Sequence, residues 1–235
     1  MASSAAAAAG DADAPPAPAA PAPPPPPGSS SSAAAGAGER PPTDAPYRSA
    51  ALPVAARVAD LLPRMSAAET LAQLVQPMAS TRAVLAAYGA TGVGGVALED
   101  LAGGGDFPSP WAALNALQGA LLNGSRLGIP ASVFTEGLHG GMFYGTIFPA
   151  PVNLGNTFDA PLLRAVGAAI AAEARLGGAE RVFAPELQVV TDARFGRFYE
   201  SFSESPFLVS ALGAQMTLGI QGAAAAPDAY LGNLR

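Results

Sequence analysis

The sequence predicts an α/β fold built on a parallel sheet, preceded by a tail that stays disordered over residues 1–45. Three observations carry that expectation. Short apolar runs alternate along the chain with longer stretches whose apolar residues recur at helical spacing, the pattern of βα units. Two of those runs end in loops rich in glycine, carboxylate and arginine, and such folds keep their chemistry where strands end. Upstream of Tyr47 the texture differs. "PPAPAAPAPPPPPGSSSSAAAGAG" is low-complexity Pro, Ala, Ser and Gly, with too little apolar surface to offset the entropy of ordering. It reads as a linker or tail with polyproline II character rather than as a docking site for proline-binding domains.

Past Tyr47 each element has its own warrant. "LPVAARVADLLPRM" sets Val54, Val58, Leu61 and Leu62 on one helical stripe. Ser66 and Glu69 form a capping box that opens a second helix, "AAETLAQLV", which Pro77 ends. "GVGGVAL" (Gly92–Leu98) is a short strand, "WAALNALQGALLNGSR" a helix, and "IPASVF" a strand again. Asp159 caps the long helix "PLLRAVGAAIAAEARLGG", whose Leu162, Leu163, Val166 and Ile170 mark a core face. "RVFAPELQVV" (181–190) is the third strand, and "SPFLVSALGAQMTLGIQG" a helix with Pro206 in its first turn.

Composition narrows the function. Half of the residues are hydrophobic and 13% are charged, so a sizeable core is available. The net charge is −6, and the twelve basic residues are all arginines scattered along the chain, which offers no basic stripe for nucleic acid. Cysteine is absent, which excludes disulfides, thiol nucleophiles and thiolate metal sites. No apolar run approaches the ~18 residues that a membrane span needs. The early "AAAAA" lacks both a basic flank and a leucine-rich core, so no clear signal peptide is legible and the compartment stays open.

Two loops hold the candidate residues. "FTEGLHGG" (Phe134–Gly141) contains the chain's only histidine. A carboxylate at Glu136, among glycines that let a ligand approach, can accept two hydroxyls at once and so suits a polyol; equally it can fix the turn. His139 in its glycine turn reads as an orienting donor rather than a base. The turn has an esterase flavour, but the chain has no G-x-S-x-G nucleophile elbow, and the esterase reading fails. "ARFGRFYESFSE" carries Arg194, Arg197, Glu200 and Glu204, where a guanidinium fork can grip hydroxyls or can pin the loop as an Arg–Glu cluster. "GATGVGG" has the wrong spacing for a dinucleotide-binding turn.

Taken in order, "LPVAARVADLLPRMSAAETLAQLVQ", "SRLGIPASVFTEGLHGG", "TIFPAPVNLGNTFDAPLLRAVGAAIAAEAR" and "VFAPELQVVTDARFGRFYESFSESPFLVSALGAQMTLGIQG" resemble the amino-terminal barrel domain of glycoside hydrolase family 3, the β-glucosidases, β-xylosidases and relatives. Four pieces in register from about Tyr47 onward make the resemblance specific. It implies the first half of a (β/α)8 TIM-like barrel over residues 46–235, acting on terminal β-D-glucosides or β-D-xylosides without metal or organic cofactor. Glu136 then takes the place of the acid that binds sugar hydroxyls, and Arg197 that of the family's sugar-binding arginine. His139 and Arg194 orient loops, and Asp192 and Glu200 look structural.

The departures shape the expectation. The family usually has "GED" where this chain reads "SES" (Ser203–Ser205), and an acid near Gln188; both changes are expected to loosen loop support. The family's Lys-His-Phe motif, its nucleophile on an Asp-Trp strand and its acid/base find no match in these 235 residues. No residue here is therefore assigned a catalytic role, and the chain alone is expected to be an inactive fragment. An open barrel edge would give it a route to self-association. The alternative is a non-catalytic carbohydrate- or protein-binding module derived from the family.

Overall fold

A computed structural model describes residues 38–103, 105–141 and 145–222; most of the proline-rich tail, residues 1–37, lies outside the described residues. The part of the expected tail that is described is mostly exposed but touches the rest of the chain. The Arg40 guanidinium donates to the carbonyls of Leu122 and Asn123, both at 2.5 Å, and Ala45 is buried. These contacts reach a few residues upstream of the boundary expected at residue 45.

The described elements run α1 (Val54–Leu61), α2 (Ala67–Ala72), α3 (Thr81–Tyr88), β1 (Gly95–Ala97), α4 (Pro110–Gly124), β2 (Ser132–Glu136), α5 (Pro151–Gly155), α6 (Ala160–Leu176), β3 (Arg181–Phe183) and α7 (Pro206–Gln221), with single 3-10 turns at Pro46–Arg48, Leu62–Arg64 and Phe198–Glu200. Local chemistry fixes most helix starts. Ser66 accepts from the Glu69 N–H while the Glu69 carboxylate accepts from the Ser66 N–H, the reciprocal pair of a capping box. Asp159 accepts from the Leu162 N–H at 3.0 Å, and Pro occupies the first turn of α4, α6 and α7, where its missing N–H costs nothing.

The sheet is parallel, ordered β1-β2-β3, with Val96 opposite Val133 and Glu136 opposite Phe183. Side chains alternate between its faces. Val96, Val133 and Val182 join Leu117 and Leu121 of α4 in one core. Gly95, Ala97, Ser132, Phe134, Glu136, Arg181 and Phe183 share the other face. A second core joins Leu154, Leu163, Val166, Ile170, Phe202, Leu212 and Met216 from α5, α6, α7 and the turn before α7. Each fully buried side chain of that size contributes about 1.5–3 kcal/mol. The two long helices approach closely at Gly167 and Gly219. A Cβ on Gly219 would come within 2.2 Å of the Arg164 carbonyl oxygen, so only glycine permits that crossing.

Several expectations need correction. The third strand spans Arg181–Phe183, not 181–190: Pro185 has no N–H for a ladder, and the following residues run extended without pairing among the described residues. α2 ends at Ala72, well before Pro77, and α3 and α5 were not foreseen. Leu162 is 39% exposed while its neighbours Leu163, Val166 and Ile170 form the core face. The stripe on α1 is exposed too, with Val54 at 49% and Val58 at 43%. α1 is held instead by polar contacts, Arg57 donating to the Tyr47 carbonyl and Asp60 accepting from the Tyr47 N–H. Among the described residues no helix is long and apolar enough to cross a membrane.

Candidate functional site

The carboxyl ends of the strands gather the candidates. Glu136 is the last residue of β2, on the same sheet face as Phe134. Its register partner Phe183 stacks on Phe134 with ring centroids 4.5 Å apart. Phe183 is 47% exposed, so a half-open aromatic shelf lies beside the carboxylate. Gly137 follows because nothing larger fits: a Cβ there would stand 2.1 Å from Val182 Cγ1. The carboxyl of Glu136 is held above the usual carboxylate range, first by burial and next by the charge of Glu99, with Glu186 and Glu200 adding to it; Arg197 opposes.

Arg197 opens the 3-10 turn Phe198–Glu200. Its Nε donates to Glu200 Oε1 at 2.9 Å, and its Nη2 lies 2.5 Å from Glu200 Oε2 and 3.3 Å from Glu186 Oε1. The contact to Oε2 is close but poorly aligned, since that oxygen has no hydrogen-bond partner among the described residues; the Nε bond is the directional one. Glu200 is buried, and the guanidinium bound to it keeps its carboxyl below the usual range against the effect of burial. The fork is thus pinned to the loop, yet the Arg197 side chain stays 61% exposed and its charge reaches Glu136. Both roles left open by the sequence, loop pin and ligand contact, are compatible in one residue.

The other two predicted residues differ in reach. His139 Nδ1 lies 2.9 Å from the Phe148 carbonyl while the Phe148 N–H donates to the His139 carbonyl at 2.7 Å, so the histidine closes its loop on both sides. Arg194 does less. Its side chain is 91% exposed and, among the described residues, binds Asp192 alone, two residues away, which raises the pKa of the one and lowers that of the other. The "SES" stretch makes bonds of its own: Ser203 Oγ accepts from the Ser205 N–H at 3.0 Å, Ser205 caps α7, and Ser201 Oγ donates to the Gln188 carbonyl at 2.6 Å.

Sequence reasoning missed Glu99. It follows β1 by two residues, and its Oε1 accepts from the Glu136 N–H at 2.9 Å and from the Thr135 hydroxyl. The available signal was its place, a carboxylate just beyond a strand in "GVALED". An apolar cavity of about 480 Å³ lies elsewhere, between Leu187 and the α7 residues Val209, Gly213, Ala214 and Leu218. Among the described residues that line it, none is titratable. The strand-end cluster is therefore the candidate site: carboxylates and a guanidinium that can meet hydroxyls, beside aromatic rings that can meet C–H faces.

Comparison with known proteins points the same way. Residues 66–229 match the family model described as the glycosyl hydrolase family 3 N-terminal domain. The chain is 32% identical over 187 residues to a putative β-xylosidase of Formosa agariphila, covering 75% of this chain and 25% of that protein. It is 33% identical over 109 residues to a periplasmic β-glucosidase of Salmonella typhimurium, covering 46% of this chain and 14% of that one. Among solved structures, a β-glucosidase from Erythrobacter marinus superposes with a TM-score of 0.64 at 33% identity over 77% of this chain and 25% of its own. A β-glucosidase from Listeria innocua in complex with isofagomine gives 0.60 at 33% identity, covering 72% of this chain and 23% of its own. The chain thus spans about a quarter or less of the relatives it matches.

Proposed function

Because the chain belongs to glycosyl hydrolase family 3, through the amino-terminal domain of that family, we propose that it forms one wall of the pocket for the terminal sugar of a β-D-glucoside or β-D-xyloside, in the first half of a (β/α)8 barrel. The observation that carries this reading is the pairing of Glu136 with the Phe134–Phe183 stack and with the charge of Arg197. A sugar presents hydroxyls on its edges and C–H bonds on its faces, and this wall offers acceptors, donors and a ring to match. Glu136 accepts ring hydroxyls, and Arg197 donates to them.

The wall binds and does not cleave. A retaining glycosidase needs two carboxylates about 5–5.5 Å apart, one to attack the anomeric carbon and one to protonate the leaving oxygen. Here Glu200 is neutralised by Arg197, Glu99 is taken up by the β2 backbone, and Glu136 faces hydroxyls. The bond-breaking pair is supplied by chain outside the matching positions, and the parent protein hydrolyses the glycoside.

The test has two stages. The full 235-residue chain is assayed against aryl β-glucosides and aryl β-xylosides, alone and with a separately produced piece carrying the remainder of the family architecture; no turnover alone and turnover on mixing is the expected outcome. In the reconstituted enzyme, Glu136→Ala and Arg197→Ala should each lower kcat/KM by roughly one to two orders of magnitude, the loss of one hydrogen bond to a charged group. Turnover by the chain alone, abolished by Glu136→Gln, would show that a carboxylate present here does the chemistry and that the assignment is wrong.

A further inference from the structure

We propose that Glu99 is the positioning residue for Glu136, its carboxylate standing in for a missing ladder carbonyl of β1 and laying a second negative charge beside the sugar-facing one. The ladder geometry motivates this. The Leu98 N–H donates to the Phe134 carbonyl at 2.9 Å, which continues the β1–β2 pairing one residue past β1. In a parallel ladder the next bond runs from the Glu136 N–H back to the Leu98 carbonyl. That bond is not made. The chain turns at Leu98, whose carbonyl accepts instead from the Leu101 N–H at 3.4 Å.

Glu99 fills the gap. Its Oε1 takes the Glu136 N–H at 2.9 Å together with the Thr135 hydroxyl, so one oxygen fixes two successive residues of β2. On the far side the Gly137 N–H reaches the Phe183 carbonyl at 3.4 Å. The chain at Glu136 is therefore held on both sides, by Glu99 just beyond β1 and, one residue on, by the Gly137 bond to β3, and its side chain leaves the sheet from a fixed origin. A buried amide with no acceptor would be costly, and a charged acceptor makes a stronger bond than a carbonyl.

The substitution of a carboxylate for a carbonyl has a second consequence. Glu136 faces Glu99 from the β1 side, and Glu186, Glu200 and Arg197 from the segment between β3 and α7, and Arg197 is already shared by two of those acids. Glu136 therefore holds its proton to a higher pH than an ordinary glutamate, in keeping with its raised pKa. When protonated it can donate to a sugar hydroxyl as well as accept from one. This functional meaning rests on the reading of Glu136 as a sugar contact; the clamp itself does not.

The experiment is carbon- and nitrogen-detected NMR on the sugar-free full chain, comparing the parent with Glu99→Gln and Glu99→Ala. In Glu99→Gln the amide oxygen still accepts but the charge is gone, so the Glu136 carboxyl should titrate at lower pH than in the parent with its backbone amide little changed. In Glu99→Ala the acceptor is gone too, and exchange of the Glu136 amide proton should accelerate roughly ten- to a hundredfold. An unmoved titration in both variants, with an unmoved Glu136 amide in the alanine variant, would overturn the proposal. Collapse of both variants, read from lost signals of the core residues Val96 and Leu117, would also overturn it, in favour of a fold-wide role. Adding glucose, xylose or an aryl glycoside afterwards separates the two readings: a clamp that responds as expected in a chain that no glycoside perturbs would leave the positioning role standing and count against the sugar pocket alone.

Discussion

Replacing Arg126 with methionine removes one half of a buried ion pair that joins distant parts of the chain. The Arg126 guanidinium meets the Glu69 carboxylate fork to fork, Nε to Oε1 at 2.8 Å and Nη2 to Oε2 at 2.6 Å, and it also caps the Arg64 carbonyl at 2.7 Å. The two side chains are 16% and 6% exposed. Stripping one partner from such a pair leaves a buried, uncompensated charge and costs about 3–5 kcal/mol. Glu69 keeps its bonds from the Ser66 N–H and hydroxyl, which points to the lower end, about 3 kcal/mol. For a domain of this size that is a fall in Tm of about 6–12 °C.

The pH dependence gives the sharper test. In the parent, the hydrogen bond from Arg126 holds the Glu69 carboxyl below its ordinary pKa against the effect of burial. Its contribution is thus fully present above the unfolded value, about 4.3, and is lost as pH falls through the folded value. In Arg126→Met the largest cause of that lowering is gone, so the folded pKa of Glu69 moves up and acid costs the variant less stability than it costs the parent. Urea unfolding at pH 7 and at pH 4 should therefore show the gap between parent and variant narrowing at the lower pH. A variant within about 1 kcal/mol of the parent at pH 7, or a gap of equal size at both pH values, would refute the buried-pair reasoning.

Three further outcomes are expected. Phe202→Ala empties the middle of the α5–α6–α7 core, where Phe202 is 1% exposed, and should destabilise by about 3–5 kcal/mol in urea unfolding. Tyr47→Phe removes the 2.6 Å bond from the phenol to the Leu127 carbonyl; because Arg48 still serves that carbonyl, the loss should stay near 0.5–1.5 kcal/mol. Arg194→Ala should leave the melting temperature unchanged, since its bonds go to an exposed neighbour two residues away, and a clear loss of stability would mean that this arginine organises more of the loop than Asp192.

Local rules made much of this fold legible. Ser66, Ser109, Asp159 and Ser205 bond to amides three residues on, so their helix starts follow from short-range geometry that any context would favour. The three strands were visible as apolar runs, and the placement of Glu136 at a strand end followed from where the second run stopped. Lengths were less secure. The apolar pattern of 181–190 continues past the point where Pro185 and the absence of a described neighbour end the pairing, and a ladder needs two strands whereas a pattern needs one.

The sequence by itself determined the βα alternation, the helix caps, and the identities of Glu136 and Arg197 as candidates. Only the tertiary structure decided what those residues touch. Glu69 and Arg126 are 57 positions apart and Glu99 and Glu136 are 37 apart, and no periodicity links such pairs. Glu99 and Glu136 meet because the parallel crossover brings successive strand ends side by side, which sets the carboxylate of one loop against the backbone of the next strand, whereas Glu69 on α2 and Arg126 after α4 meet through the packing of those two segments. The same geometry decided against the stripe on α1: Val54 and Val58 carry the right spacing for a core, but burial depends on a facing surface, and spacing within one helix cannot supply it.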